Sequence, residues 1–243
     1  MNVQDVVVDV PGPAGSVRCV LSRPAGSGRH PLVLCFPDIF GNSEAHLRVT
    51  RRLAGYGYVV ASIEPWGRQH PVGTVFDFDA DRAAALRAMD QAKTPAVDED
   101  RRAVLAALMR EPSVDAGAVY ALGFCYGGHL AFRAALEPTV NAAVCCYPTG
   151  VHVDRCGGDV ADTLVRAGEI RGELLLVWGR NDPHIPAPGR ARIHEALEAA
   201  GTRFEARLYD AEHAFLRDVG PRYEPVATDQ VFAAMVDLFR RCR

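Results

Sequence analysis

The 243 residues are 49% hydrophobic and 23% charged, as expected for a soluble globular protein. The formal net charge is −3 and the arginines are scattered, so composition gives no electrostatic case for nucleic acid or an anionic membrane as partner. No apolar run approaches the roughly 20 residues of a membrane span, and the start "MNVQDVVVDVPGPAG" has no positive stretch and is broken by prolines, so the chain reads as cytoplasmic.

Short β-branched runs alternate with longer helical patterns. "VVVDV" and "SVRCVLS" predict an opening antiparallel pair around the turn segment "PGPAG". "PLVLCF" is a continuous apolar run, the mark of a strand covered on both faces. A helical stretch, "SEAHLRVTRRLAGYG", ends on glycine and leads to the strand "YVVASI". Residues 79–110 are rich in Ala, Leu and Arg and helical, with Pro95 as a break. Then follow the strand "AVYALGF", the helix "GGHLAFRAALE", and the strands "VNAAVCCY" and "GELLLVWG". The helix "GRARIHEALEAAG", the alternating strand "RFEARLYD" and the amphipathic helix "TDQVFAAMVDLFRRC" close the chain. This alternation implies an α/β fold, a mostly parallel doubly wound sheet with helices on both faces. With no repeat and no linker, residues 1–243 read as a single domain; the least patterned segment, 148–170, could form a cap.

Seven cysteines, an odd number without a C-x-x-C pair, give no disulfide framework in so long a chain without an export signal. Cys19, Cys35, Cys145 and Cys146 lie in apolar runs and read as buried hydrophobes, Cys156 as a free surface thiol. The eight histidines form neither H-E-x-x-H nor a Cys/His cluster, so neither a metal nor a cofactor is expected.

"GFCYGG", residues 123–128, has the G-x-x-x-G frame of a nucleophile elbow with cysteine at its centre, between a strand and a helix. Gly123 and Gly127 let the backbone turn sharply, and Cys125 would stand at a helix N-terminus, where the dipole and free N–H groups favour thiolate. The Tyr126 N–H would then face a developing oxyanion. The stretch alone also fits a structural cysteine in a glycine-rich turn. The partners decide: Asp182 follows "ELLLVWG" and His213 follows "RFEARLYD", an acid and a base in the chain order of a triad, each after a later strand.

With these residues in view the chain resembles the dienelactone hydrolase (carboxymethylenebutenolidase) family of α/β-hydrolases, over nearly its whole length. Four stretches carry the resemblance: "PDIFGNSEAHLR", "GFCYGGHLAF", "NDPHIPAP" and "AEHAFLR". The resemblance implies a Cys125–His213–Asp182 triad, an oxyanion hole from the N–H groups of Ile39 and Tyr126, and a substrate carboxylate bound by Arg217. It implies a second substrate-binding arginine near the start of the long helix, Arg82 or alternatively Arg87. At Asp38 the family carries Glu, which controls the resting thiol; here the acid is one methylene shorter. The 150–172 region is longer and different in character. Trp66 and Tyr147 each follow a strand, and each could wall the pocket or pack in the core; His184 is expected at the pocket rim.

The function implied is opening of a lactone or cleavage of an ester of a small, carboxylate-bearing substrate through a thioester, without a cofactor, by a monomer or weak homodimer. Two alternatives stay open: a non-hydrolytic cyclase, isomerase or acyl transferase of a specialised pathway on the same fold, and a catalytically idle binding protein.

Overall fold

The computed structural model describes residues 2–243. β1 (Val3–Gly12) and β2 (Gly15–Pro24) form the expected hairpin, longer at both ends than the apolar runs suggest. Only Pro13 and Ala14 turn the chain, and Gly15 takes φ +129°, which a side chain would resist. β3 (His30–Phe36), β4 (Val59–Ile63), β5 (Val114–Phe124), β6 (Ala142–Cys146), β9 (Glu173–Gly179) and β10 (Arg203–Tyr209) are mutually parallel. β4 and β6 are buried at every residue, as their unbroken apolar sequences require, whereas β10, at the sheet edge, alternates in exposure.

The eight strands run in the order β1-β2-β4-β3-β5-β6-β9-β10. The chain therefore leaves β3 toward β4 on one side and returns to β5 on the other. A crevice opens outside the carboxyl ends of strands at such a reversal, the usual ligand site of an open α/β sheet. The loops after β3, β5, β9 and β10 carry Asp38 and Ile39, Cys125, Asp182, and His213 respectively, so the topology gathers at one edge residues far apart in sequence.

There are six helices, α1 (Glu44–Gly55), α2 (Arg82–Gln91), α3 (Thr94–Leu108), α4 (Tyr126–Ala134), α5 (Ala187–Ala199) and α6 (Pro225–Arg241), among the described residues, and all but α2 pack directly on the sheet. They cover both faces, the α/β-hydrolase arrangement expected from sequence. The break in the 79–110 stretch falls at Ala92 and Lys93, ahead of Pro95, which sits in the first turn of α3. There its missing N–H is no loss, because a first-turn N–H has no helical acceptor. Pro225 likewise opens α6, three residues before the expected start.

The 148–170 segment contains two 3-10 turns and a small hairpin of β7 (Arg155–Cys156) and β8 (Asp159–Val160). It is firmly tied. Asp159 accepts the Thr94 N–H at 3.0 Å, Thr163 meets His129 at 2.7 Å, and Asp162 pairs with Arg133 at 2.8 Å. Cys156 is consequently buried, not at the surface as "RCGGD" suggests: Gly157 and Gly158 lie so close to the Met89 and Asp90 carbonyls that a Cβ would stand 2.3 and 2.0 Å from those oxygens. Burial pushes the Cys156 thiol up to about 12. Among the described residues, no helix is long and apolar enough to cross a membrane.

Candidate active site

Cys125 has φ 57° and ψ −118°, a strained conformation for a residue with a side chain. Its neighbours hold it there. The Cys125 N–H donates to Cys146 O at 3.0 Å, and Cys125 O accepts from Gly128 N at 3.0 Å and Thr149 N at 3.2 Å. The turn is possible because Gly123 and Gly127 lack side chains: a Cβ would meet Gly127 O at 1.8 Å and the Phe36 and Pro37 oxygens at 2.2 Å. Cys125 therefore stands directly before α4 with partial exposure, while five of the other six cysteines are buried.

Asp182 and His213 meet across two loops. His213 Nδ1 lies 2.7 Å from Asp182 Oδ2, and Asp182 Oδ1 accepts the His184 N–H at 2.8 Å. Gly179 allows the approach, since a Cβ there would fall 2.6 and 2.8 Å from the Ala211 and Glu212 oxygens. The His213 ring is flanked edge-on by Tyr147 at 5.0 Å and His184 at 4.7 Å. With Nδ1 engaged by Asp182, Nε2 is left for Cys125. Burial lowers the basicity of His213, but the Cys125 sulfur and the Asp182 carboxylate outweigh it and raise its pKa to about 10.

Tyr126 opens α4 and Ile39 follows β3. Among the described residues neither N–H has an acceptor within the chain, so both are free for an oxyanion. Behind them Trp66 is fully buried. Its Nε1–H donates to Ile39 O at 3.2 Å and its ring stacks on Tyr126 at 5.6 Å. Trp66 thus braces both Ile39 and Tyr126 and does not line the cavity, contrary to one of the two sequence readings. Tyr147 also lies outside the main cavity wall, packed on His213 and Phe215.

The cavity above Cys125 measures about 330 Å³. Arg217 projects into it over the Phe78 ring at 4.2 Å and meets Asp38 at 3.5 Å, while its buried Nε has no partner. Asp38 also accepts the Phe40 N–H at 2.9 Å; burial raises its pKa against the opposing pull of that bond and of Arg217. The N-cap of α1 is Ser43, whose side chain accepts the His46 N–H. Arg82 reaches the cavity and Arg87 does not; His184 lies in the cavity wall. Sequence reading missed Arg222, on the loop after His213, and His152, on the 148–170 segment. No pattern marks either one, because each reaches the cavity through an irregular loop.

The family model of the dienelactone hydrolase family matches residues 17–243. The carboxymethylenebutenolidase of Pseudomonas sp. strain P51 is 30% identical over 245 residues, covering 100% of this chain and 97% of that protein. A crystal structure from Klebsiella pneumoniae, provisionally described as a dienelactone hydrolase, superposes with a TM-score of 0.89 at 24% identity, covering 99% of each chain. That structure supports the fold; the family follows from the near-complete match of its model together with the Pseudomonas relative. A strained cysteine before α4, an acid after β9 and a base after β10 are thus found in a chain that belongs to the dienelactone hydrolase family.

Proposed function

We propose that the protein hydrolyses a small lactone or ester bearing a carboxylate, with Cys125 as nucleophile, His213 as base and Asp182 as the group that orients it. The observation that carries this reading is the 2.7 Å contact between His213 Nδ1 and Asp182 Oδ2 beside Cys125, at the foot of a cavity of about 330 Å³. That volume is at the small end of ligand sites, which run from roughly 300 to 1,000 Å³. The whole chain acts as one catalytic unit.

In this reading the Cys125 sulfur attacks the carbonyl carbon, and the Ile39 and Tyr126 N–H groups receive the oxyanion. His213 holds the thiol proton and passes it to the departing oxygen as the C–O bond breaks and the thioester forms. It then takes a proton from water, whose oxygen attacks the thioester and releases Cys125. Arg217, poised beside Asp38 with an unpartnered Nε, receives the substrate carboxylate.

Turnover in ¹⁸O-labelled water tests the reaction class. Hydrolysis puts one labelled oxygen into the product acid. A product free of label would instead indicate the cyclase, isomerase or transferase alternative.

A further inference from the structure

The strained turn at Cys125 closes on its own carbonyl oxygen. Cys125 O accepts N–H groups from Gly128 at 3.0 Å, His129 at 3.4 Å and Thr149 at 3.2 Å. Gly128 and His129 belong to α4 itself, whereas Thr149 comes from the separate 148–170 segment. Thr149 is held from its other side as well, because its carbonyl oxygen lies 3.0 Å from His129 Nδ1. His129 is fully buried, and it has no part in the mechanism given above.

The surroundings fix the tautomer of His129. A carbonyl oxygen only accepts, so Nδ1 carries the proton that faces Thr149 O. Burial and the Arg133 charge hold the ring at about 4, against the pull of the Thr149 carbonyl, Asp98 and the Arg155 carbonyl, and the imidazole is uncharged at neutral pH. Nε2 is therefore an acceptor, and the Thr163 hydroxyl 2.7 Å away donates to it. Thr163 Oγ accepts from Arg133 Nη1 at 2.9 Å, which leaves its own hydrogen for His129. Arg133 is anchored to α3 by Asp98, through Nε at 3.1 Å and Nη2 at 2.5 Å. One directed line of hydrogen bonds thus runs from Arg133 through Thr163 and His129 to Thr149, whose N–H ends on Cys125 O. Asp98, Arg133, Thr163 and His129 are all buried, where a polar group left without its partner is costly.

We propose that His129, oriented by Thr163, is a positioning residue for Cys125: it holds Thr149 where the Thr149 N–H keeps the strained turn closed. This rests on the nucleophile role given to Cys125 above and deepens that reading. His129 does not line the cavity, so it acts through Thr149 and the turn and not on substrate. Thr149 does line the cavity. An effect on the turn therefore reads in kcat, and an effect on the wall alone reads in KM.

Two substitutions keep opposite halves of the imidazole. In His129→Asn the amide N–H falls near the Nδ1 position and still donates to Thr149 O; in His129→Gln the amide reaches the Nε2 position and faces Thr163 only. With p-nitrophenyl acetate, His129→Gln should lower kcat by about fivefold at unchanged KM, as loss of one hydrogen bond allows, and His129→Asn should stay within about twofold of the wild type. From the other end, Thr163→Val should lower kcat by about threefold, and Thr163→Ser, which keeps the hydroxyl, should retain it. A purely structural His129 would lower the melting temperature of both its variants and leave the kcat of the folded protein alike. Equal kcat in the two His129 variants, a change confined to KM, or full kcat in Thr163→Val overturns the proposal; should the His129 variants not fold, the Thr163 pair decides. The rate at which iodoacetamide alkylates Cys125, read by peptide mass, needs no turnover and should fall in the same order, and equal rates in all four variants overturn the proposal. If the wild type turns over no ester while alkylation keeps that order, the hydrolase reading fails and the positioning role of His129 stands.

Discussion

Asp38 accepts the Phe40 N–H with one carboxylate oxygen and faces Arg217 with the other, so both oxygens already have partners. A Glu here would reach roughly 1.3 Å further; in the mechanism proposed above, the shorter Asp leaves activation of Cys125 mainly to His213. Asp38→Asn keeps an acceptor for the Phe40 N–H and removes the charge beside Arg217. It should lower kcat by about tenfold or less, whereas His213→Ala should cost several orders of magnitude. A pH–rate series on both variants checks this. A loss at Asp38→Asn as large as that at His213→Ala, with unchanged melting temperature, would make Asp38 a primary base. The placement of residues at the site was readable where a motif fixes it, as for Cys125, Asp182 and His213. Trp66 was not: an aromatic after a strand can face a pocket or its back wall, and only the path of the Ile39 loop decides which.

The strand–turn–helix unit of β5, Cys125 and α4 depends on missing atoms. Gly123→Ala would drive a Cβ to 1.8 Å from Gly127 O, both of them backbone-bound and unable to give. Destabilisation should exceed about 4 kcal/mol, the range of the severest single substitutions, read as loss of soluble protein or a collapsed denaturation midpoint. Gly55→Ala is the counterpart at the end of α1, with open space around the new methyl and no positive φ. It should be neutral or stabilise by up to about 1 kcal/mol. A mild Gly123→Ala would mean that the elbow is not under this constraint. At this scale the buried strands were legible because apolar runs announce them. The 148–170 wall was not, since it is held by single polar contacts such as Asp162–Arg133 and by glycine-to-carbonyl packing, neither of which has a period. The "CGG" turn looked exposed for the same reason, and its burial depends on α2, more than sixty residues earlier.

Across the whole molecule, buried imidazoles set opposite slopes of stability against pH. Burial lowers His46 to about 3 and His129 to about 4, below the 6.5 of a free imidazole. Below pH 6.5 the unfolded chain therefore binds more protons than the folded one, and stability falls on acidification toward those values. His213 acts in reverse. Its raised value of about 10 gives a stabilisation fully present below 6.5 and lost as pH climbs toward 10. The five buried cysteines add to that loss once unfolded thiols begin to ionise, at about 8.5. The melting temperature should peak near pH 6.5, and His213→Asn should flatten the decline between there and about 8.5. A wild-type melting temperature that rises from pH 7 to 9 would contradict this. The fold and the meeting of Cys125, Asp182 and His213 were legible together because one alternation of strands and helices both builds the sheet and sets these three residues in order along its edge. Of the arginines in the cavity wall, Arg217 and Arg82 were named from the resemblance, whereas Arg222 was not, because its irregular loop carries no pattern.

The most direct measurement of the central claim is the intact mass of the protein, acid-quenched during turnover of an activated ester and followed by peptide mapping. The wild type should carry one acyl group, on the peptide containing Cys125. Cys125→Ala should carry none and lose essentially all turnover, and His213→Ala should form the adduct far more slowly. An acyl group on any other residue, or turnover that survives Cys125→Ala, would contradict the account.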